Sequence, residues 1–337
     1  MLHPIRSTVA TATAFVVLLF SSGFLSTGCG RSTEAPVDES SGSARVEASE
    51  PDAAARPPYY RVVAHGGATL TLLGTIHVGP ANGWKLSPAV MASIASADRI
   101  LLEVDLRLAT EDRVSSLMAE LAFLPPGRQI TDVVAPETAK LLEAEDATIT
   151  RLGVPPGQRR MMKPWLVAMI LGESIYSERG LSPAAAVENR ILETLGDRPL
   201  VGLETFEEQL RIFDDLSPKL QDVMLRETLM GLDESGQLVD DLLRAWRTGD
   251  EVELARIARE GIDELPELGP FYDVVLGNRN RSWVAQLRGL LDGRDHAGES
   301  VLVAVGALHL VGRDSLVEQL RAAGYRVEKL SQEEVVR

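Results

Sequence analysis

Alternating and continuous apolar runs divide the chain from residue 59 onward into strands and helices. The stretch "YYRVVAHGGATLTLLGTIH" contains two β-rich runs joined at His65-Gly66-Gly67, where the glycines supply the positive φ that a hairpin turn needs. His65 is therefore predicted to be a turn residue. Further along, "RILLEVD" and "RPLVGLET" (198–205) predict two short strands that end in acidic residues.

The two ends of this region follow the same order of elements. The first apolar run leads into a Gly-x-x-His motif ending at His77, then a helix in "SPAVMASIASADR" with Ser87 as N-cap, then the strand "RILLEVD". Near the C-terminus, the strand "SVLVAVG" leads into a Gly-x-x-His motif ending at His309, the helix "RDSLVEQLRAAG" and the strand "YRVEKL". This order is that of a parallel crossover, and its repetition makes an internal duplication a reasonable hypothesis.

Between the two units, apolar residues recur at three- and four-residue spacing, which is typical of helices with one buried face. The predicted helices include "TEDRVSSLMAEL", "APETAKLLEAEDA", "KPWLVAMILGESIYSERG", "PAAAVENRILETLG", "SPKLQDVMLRETLMGL", "GQLVDDLLRAWRTGD" and "NRSWVAQLRGLLDG". The pattern as a whole predicts an α/β fold. The predicted fold contains a mixed sheet built from two similar strand-GxxH-helix-strand units. A helical insertion of about 100 residues or more lies between these units and can cover a site.

The first 28 residues have the pattern of an export signal. A short start carrying Arg6 precedes an apolar stretch, Thr13–Phe20, which is too short for a permanent membrane span. "LSTGC" then resembles the lipobox of bacterial lipoproteins, so Cys29 is the predicted lipidation site and mature N-terminus. Leu25 lies one place further from the cysteine than the usual aliphatic residue, and an ordinary cleaved signal or an uncleaved anchor stays open.

Residues 29–58 are rich in Ser, Ala, Glu and Pro and have no periodic apolar pattern, which predicts a disordered tether before a folded domain at 59–337. Gly30 follows the cysteine, in place of the aspartate that retains lipoproteins in an inner membrane. We therefore expect an exported protein of the cell envelope, held to a membrane by an N-terminal lipid. In a Gram-negative host that membrane would be the outer one.

Composition narrows the classes of function. The chain has 34 Lys and Arg against 49 Asp and Glu, a net charge of −15, which argues against a nucleic-acid partner. Its hydrophobic content of 45% is enough for a sizeable core, and one cysteine cannot form an internal disulfide. The sequence contains no Gly-x-Ser-x-Gly, Cys-x-x-Cys, His-Glu-x-x-His or phosphate-binding loop, which argues against several hydrolase and kinase classes.

Two of the five histidines stand out by their context. His77 and His309 directly follow apolar strands, the place where α/β sheets present functional groups. His296 shares the Gly-x-x-His spacing but lies in a polar loop, so it is predicted to be a surface residue. For the first two, a role as metal ligand or acid/base group and a role as a cap of strand-end carbonyls both stay open.

Acidic and basic residues with candidate roles occur at other element ends. Glu103 follows a run predicted to be buried, where an unpaired carboxylate would be costly, so it needs a metal ion, a histidine or an arginine as partner. Two neutral histidines and a carboxylate suit zinc, manganese or cobalt.

Glu204 ends another strand, and Asp105 is a predicted N-cap or loop acid. Arg279 begins a helix, where a cation gains nothing from the helix dipole, so it is either a surface residue or aimed inward at an anion. Trp283 is predicted to lie in the core.

Six ordered blocks between residues 70 and 327 resemble the TraB/GumN family, which includes the Tiki proteins. They are "LLGTIHVGP", "ADRILLEVD", "KPWLVAM", "RPLVGLETFEEQL", "RNRSW" and "VAVGALHLVGRDSLVEQLRAAGYRV". The resemblance implies a Tiki-like architecture, related to erythromycin esterase and ChaN-type proteins, with the two Gly-x-x-His motifs meeting at one site. Tiki members are described as metal-dependent peptidases that favour manganese or cobalt.

Transferred to this chain, the resemblance implies a metal site of His77, His309 and Glu103, with Glu103, Glu204 and Arg279 as catalytic residues. The cofactor would be a divalent ion, manganese, cobalt or zinc. Many members have Glu-Arg-Asn where this chain has the sequence Asn-Arg-Asn at 278–280.

The first hypothesis is therefore a lipid-anchored, metal-dependent hydrolase of the peptidase type that acts on a peptide or small molecule. The alternatives are a non-catalytic protein that binds or sequesters a peptide or small ligand, and a structural envelope protein.

Overall fold

The computed structural model describes residues 53–64, 66–151, 154–232 and 235–332. The predicted export signal, Cys29, the tether up to residue 52 and the turn residue His65 lie outside the described residues. Within the described part of the chain, every helix is too short or too polar to cross a membrane.

A six-stranded mixed sheet forms the centre of the fold, so the predicted α/β class is confirmed. Its strands, in chain order, are β1 (Tyr59–Val63), β2 (Thr69–Thr75), β4 (Arg99–Val104), β6 (Leu200–Glu204), β7 (Ser300–Gly306) and β8 (Arg326–Lys329). Two further strands, β3 (Gly79–Pro80) and β5 (Leu181–Ser182), pair in a separate two-stranded ribbon. The order across the sheet is β6-β4-β7-β2-β1-β8, and β1 runs antiparallel to both of its neighbours.

The two strands that precede the Gly-x-x-His motifs are direct neighbours. β2 and β7 pair in parallel, with Thr69 opposite Ser300 and Thr75 opposite Gly306. β7 pairs with β4 on its other side, and β4 pairs in parallel with β6. Because β2, β7, β4 and β6 are all parallel, their carboxyl ends lie at one edge of the sheet, where α/β proteins bind ligands.

Helices cover both faces of the sheet. The α-helices are α1 (Pro88–Ser96), α2 (Glu111–Leu121), α3 (Pro136–Ala144), α4 (Asp146–Arg151), α5 (Pro156–Arg159), α6 (Pro164–Ser177), α7 (Val187–Glu193), α8 (Phe206–Asp214), α9 (Pro218–Gly231), α10 (Ser235–Thr248), α11 (Glu251–Glu264), α12 (Gly269–Tyr272), α13 (Asn278–Asp292) and α14 (Leu316–Ala322). A π-helical segment, Asp273–Gly277, joins α12 to α13. Short 3₁₀ helices occur at Leu106–Leu108, Ile130–Asp132, Pro183–Ala185, Pro266–Leu268, Arg294–His296 and Ala307–Leu310.

The helices predicted from the sequence are present, and the structure adds several more. Among the additions, α8 and α11 carry many charges, so few apolar residues mark their buried faces. The predicted cap of α1 is confirmed, because the Ser87 side chain accepts a hydrogen bond from the Val90 backbone N–H. The prediction for Asp105 is also confirmed, because it caps the following 3₁₀ helix through the Arg107 N–H.

Two layers of apolar side chains lie on opposite faces of the sheet. On one face, a small core joins strand residues such as Leu70 and Val303 to Leu287 of α13 and Leu320 of α14. Trp283 belongs to this core with 1% of its surface exposed, which confirms its predicted position. On the other face, the helical insertion packs a larger core that includes Trp165, Phe213 and Trp246 at its centre. The result is a sheet enclosed between two helical layers.

Candidate active site

The carboxyl edge of the sheet brings all five sequence-predicted site residues into one buried cluster. His77 follows β2, Glu103 lies in β4, Glu204 ends β6 and His309 follows β7. Arg279 reaches the same point from the first turn of α13, directly after the π-helical segment. Their side chains are at most 12% exposed, and that of His309 is fully buried.

Glu103 is at the centre of the cluster. Its Oε1 accepts a hydrogen bond from the Gly306 N–H at 2.7 Å and lies 3.8 Å from Nε2 of His77 and 3.7 Å from Nε2 of His309. Its Oε2 accepts from Nη2 of Arg279 at 2.6 Å. Burial alone would raise the pKa of Glu103, but Arg279 and the two imidazoles lower it to about 2. The carboxylate is therefore ionised at any physiological pH.

Arg279 is aimed inward, as one of the two sequence interpretations required. Its Nη2 donates to Glu103 and Glu204, its Nε donates to Glu204 at 3.2 Å, and its Nη1 lies 3.1 Å from Nε2 of His309. The guanidinium also lies 4.6 Å from the centre of the Trp283 ring. Burial opposes its charge, but the two carboxylates raise the pKa of Arg279 above the ordinary value. Two of the three predicted partner types of Glu103, arginine and histidine, are thus present together.

His309 is held as a neutral imidazole. Its Nδ1 lies 2.6 Å from Oδ1 of Asn280, and the Asn280 amide donates in turn to the backbone oxygen of Asp314 at 2.8 Å. Because Asn280 Oδ1 can only accept, Nδ1 carries the proton and Nε2 accepts from Arg279. Burial lowers the pKa of His309 to about 3, against the opposing charge of Glu103.

His77 has the opposite electrostatic environment. Its Nδ1 lies 2.8 Å from Oε1 of Glu188, which also accepts a hydrogen bond from the Thr75 hydroxyl. Burial alone would lower the pKa of His77, yet the charge of Glu188, followed by that of Glu103, raises it to about 9. Nε2 of His77 is buried and has no hydrogen-bond partner, and the same is true of Oε2 of Glu188. Most buried polar atoms in proteins have a hydrogen-bond partner, so an unpaired atom in a cluster of charged groups is a candidate contact for a ligand or ion.

The buried charges at this site do not balance among the protein's own groups. Glu103, Glu188 and Glu204 face a single guanidinium, Arg279, so with both imidazoles neutral the cluster has two negative charges in excess. Burial raises the pKa of Glu204, as expected for a carboxyl group that shares its cation with another. A proton on His77 removes one excess charge, and a divalent cation would remove both.

Gly306, the first residue of the second Gly-x-x-His motif, provides the space in which these groups meet. A β-carbon at this position would lie 3.2 Å from Oε1 of Glu103 and 3.2 Å from Nε2 of His77. It would also lie 3.7 Å from the His309 ring. The absence of a side chain therefore keeps open the point on which both imidazoles converge.

Among the described residues, no group of three or more His, Cys, Asp or Glu side chains is already gathered around one point as a metal ion requires. The proton on His77 and the hydrogen bond from Arg279 to Nε2 of His309 both occupy lone pairs that a metal would need. The donor types and their orientation nevertheless fit a cation. Each imidazole has its Nδ1 held by an acceptor and turns Nε2 toward Glu103, which is the outer-shell arrangement of metal-bound histidines.

The sequence did not single out Glu188 or Asn280, which orient the two histidines. Glu188 lies at the start of α7, and nothing in its local pattern distinguishes it from a solvent-facing acid. Asn280 was visible only as a neighbour of Arg279 in the block "RNRSW". Gln209, which donates to Oε2 of Glu103 at 3.3 Å, was also missed, because its role depends on the packing of α8 against β4.

The fold and the site together define an α/β protein with two histidines, three carboxylates and an arginine enclosed at the carboxyl edge of its sheet. The sequence model of the TraB/PrgY/gumN family matches residues 60–329, and the chain belongs to that family.

Sequence relatives cover most of the folded part. The chain is 23% identical to "Uncharacterized protein YbaP" of Escherichia coli strain K12 over 270 residues, which is 78% of this chain and 92% of YbaP. It is 24% identical over 312 residues to "Metalloprotease TIKI homolog" of Amphimedon queenslandica, covering 79% of this chain and 60% of that protein. The chain thus matches less than two thirds of the TIKI homolog. No solved structure matches this chain.

Proposed function

We propose that this protein is a metal-dependent hydrolase of the peptidase type. The observation that carries the proposal is the buried Nε2 of His77, which has no hydrogen-bond partner and lies beside three buried carboxylates that share one guanidinium. A bound divalent cation would give Nε2 of His77 a partner and would offset the negative charge of the carboxylates. The distant relative whose name is "Metalloprotease TIKI homolog" supports the same chemistry.

His77, His309 and Glu103 are the residues that would hold the ion, with manganese, cobalt or zinc as candidates. When bound, such an ion supplies a Lewis acid that polarises a carbonyl and lowers the pKa of a water molecule. Glu188 and Asn280 hold the two imidazoles in orientation through their Nδ1 atoms.

Glu204 is the best candidate for the group that moves protons. Burial raises its pKa, which brings the carboxyl closer to the range in which it can both accept and donate a proton. Glu103, whose pKa is about 2, stays ionised and cannot serve in this role. Arg279 carries a permanent charge beside both and would orient a substrate carboxylate or stabilise an oxyanion.

A second candidate function is non-catalytic capture of a peptide or small ligand. The bond between Arg279 and His309 favours it, because it saturates an imidazole that a hydrolase would need free. Asn278, in place of a glutamate present in many family members, also favours it. This function requires ligand affinity without turnover and no response to chelators.

The full chain incubated with a mixed peptide library, with Mn²⁺, Co²⁺ or Zn²⁺ or with chelator, separates the two functions. We expect metal-dependent cuts, seen by mass spectrometry, that disappear in Glu103→Gln. The matched control is Glu207→Gln, which changes a partly exposed acid of α8 and should leave the cuts intact. Cuts that persist in chelator, or no Mn²⁺ binding by calorimetry, would overturn the metal-dependent reading.

Two further parts of the proposal concern the whole chain. The in-register pairing of β2 with β7 supports an origin by internal duplication and a Tiki-like architecture.

The "LSTGC" block supports a lipid anchor on Cys29 and a place in the cell envelope. Mass spectrometry of the N-terminal peptide from a membrane fraction, compared with Cys29→Ser, tests the anchor.

A further inference from the structure

A surface groove of about 970 Å³ lies beside the N-terminal end of the described chain. Its walls come from residues 80–86, from the segment 182–193 and from Ala53, Ala55 and Arg247. None of the five clustered site residues lines it. Its volume is at the upper end of the range of ligand pockets, about 300–1,000 Å³, so the groove can hold a short peptide segment.

The groove has the opposite charge to the chain as a whole. Three cations line it, Lys85, Arg190 and Arg247, against one anion, Glu193. Glu193 already pairs with Arg190 at 2.8 Å. Arg56 adds a further cation nearby, because its N–H donates to the Arg247 backbone oxygen at 2.8 Å. In a chain with a net charge of −15, such a local excess of cations favours an acidic occupant.

Residues 55–58 fix the start of the folded part against the groove wall. The Ala55 N–H donates to the Lys85 backbone oxygen at 2.7 Å, and Ala55 is 2% exposed. The Pro58 backbone oxygen accepts from the N–H of Gly74, the first residue of the first Gly-x-x-His motif, at 2.8 Å. The chain toward the N-terminus therefore leaves the fold from a fixed point.

The direction in which the chain leaves leads into the groove. Ala55 and Leu86 form a parallel β-bridge. Residues that precede Ala55 therefore run alongside those that precede Leu86, and residues 80–85 form one wall of the groove. Ala53, the first described residue, lines the groove itself.

The sequence at 46–52, outside the described residues, is "VEASEPD", which contains the acids Glu47, Glu50 and Asp52 and no base. We propose that this acidic segment binds in the basic groove of its own chain. A segment joined to its binding site has a high effective concentration, so weak ion pairs suffice to hold it.

Binding of the segment has two consequences. It would shorten the reach of the predicted tether, and another acidic peptide would enter the groove only by displacing the segment. The inference goes beyond the proposed hydrolase and does not depend on it, since neither a metal ion nor turnover is required.

Carbodiimide cross-linking of the full chain tests the contact, because this reagent joins a carboxylate to an amine that touches it. We expect mass spectrometry to show amide links from Glu47 and Glu50 to Lys85. Lys140, an exposed lysine of α3, is the control and should form no link with the segment. No link at all, equal yields at both lysines, or a link from Asp52 alone, which chain connectivity would explain, would overturn the proposal.

Charge reversal in the groove tests the complementarity. Arg247→Glu should lower the yield of the link between Glu47 and Lys85 about three- to tenfold, because an attraction becomes a repulsion. Glu50→Arg in the same chain should restore the yield. Arg244→Glu is the matched control, since Arg244 is exposed on the same helix and does not line the groove. Equal yields in the two arginine variants would contradict the proposal.

Circular dichroism checks that Arg247→Glu folds. If it does not, Arg190→Glu gives the same test from another wall of the groove, where the side chain is 55% exposed. The mass of the linked product distinguishes one chain from two. Links found only in covalent dimers would place the segment in the groove of a second copy and would refute binding within one chain.

Discussion

Nη1 of Arg279 lies 3.1 Å from Nε2 of His309, the nitrogen with which this imidazole would coordinate an ion. In the absence of a metal, the guanidinium is the cation that the buried carboxylates require. An ion bound at the proposed metal site would therefore have to replace Arg279 as the positive partner of His309. Under this proposal, Arg279 would stabilise the fold without metal and compete with the ion for the same lone pair.

Replacement of Arg279 separates these two roles. Arg279→Met should lower the free energy of unfolding in chelator by about 3–5 kcal/mol, because it leaves Glu103 and Glu204 buried without a cation. Mn²⁺ should restore part of that loss, and more than it adds to the unchanged protein. Urea unfolding with and without Mn²⁺ measures both effects. Arg281→Met, an exposed position on the same helix, should change stability little, and an absence of metal rescue would contradict the cation exchange.

Gly306→Ala should disturb the site more than the fold. The added β-carbon, 3.2 Å from both Glu103 and His77, requires small displacements that cost about 1–3 kcal/mol. We expect Mn²⁺ affinity, measured by calorimetry, to fall at least about tenfold. Gly289→Ala on α13 is the control, since a β-carbon there meets no atom within 4 Å and should be neutral or stabilising. Unchanged metal affinity in Gly306→Ala would place the ion elsewhere.

The stability of the metal-free chain should depend on pH through His77. Its folded pKa of about 9 lies above the unfolded value of 6.5, so the stabilising contribution is complete below pH 6.5 and is lost as the pH rises to 9. The loss amounts to at most about 3 kcal/mol. Denaturation in chelator across this range measures it. Glu188→Gln should flatten the dependence, whereas Glu193→Gln, an exposed acid on the same helix, should preserve it.

Asn280→Ala tests the orientation of His309. The change leaves Nδ1 of His309 without a partner, at a cost of about 1–3 kcal/mol, while the Asp314 carbonyl keeps its hydrogen bond from Gln319. Because an imidazole that is free to rotate is a poorer ligand, Mn²⁺ affinity should fall about 10- to 100-fold. Asn278→Ala, on the exposed side of the same helical turn, should leave affinity within twofold of the original. Equal effects of the two substitutions would show that Asn280 does not act through His309.

The site residues at the strand ends could be predicted because the sequence pattern that indicates them is local. An apolar run followed by glycine and histidine places His77 and His309 without any knowledge of the fold, and Glu103 and Glu204 follow from the same rule. Arg279 was recognisable because a cation at a helix start needs another reason to be there. For these residues the neighbouring amino acids already contain the signal.

The partners that complete the site could not be predicted in this way. Glu188 meets His77 only because α7 returns over the end of β2, and Asn280 meets His309 only because α13 crosses the end of β7. The placement of β7 between β2 and β4 is equally non-local, since nothing in the apolar run at 300–306 specifies its neighbours. Polar contacts between distant elements depend on the tertiary arrangement.

The position of β7 also determines when the site can exist during synthesis. The strand begins at Ser300, yet it occupies the middle of the sheet, so β2 and β4 have no common neighbour until almost the entire chain has been made. A shorter nascent chain has two open strand edges and lacks His309. Such an intermediate exposes strand edges that favour aggregation, and it can complete neither the six-stranded sheet nor the cluster around Glu103 before its last strands arrive.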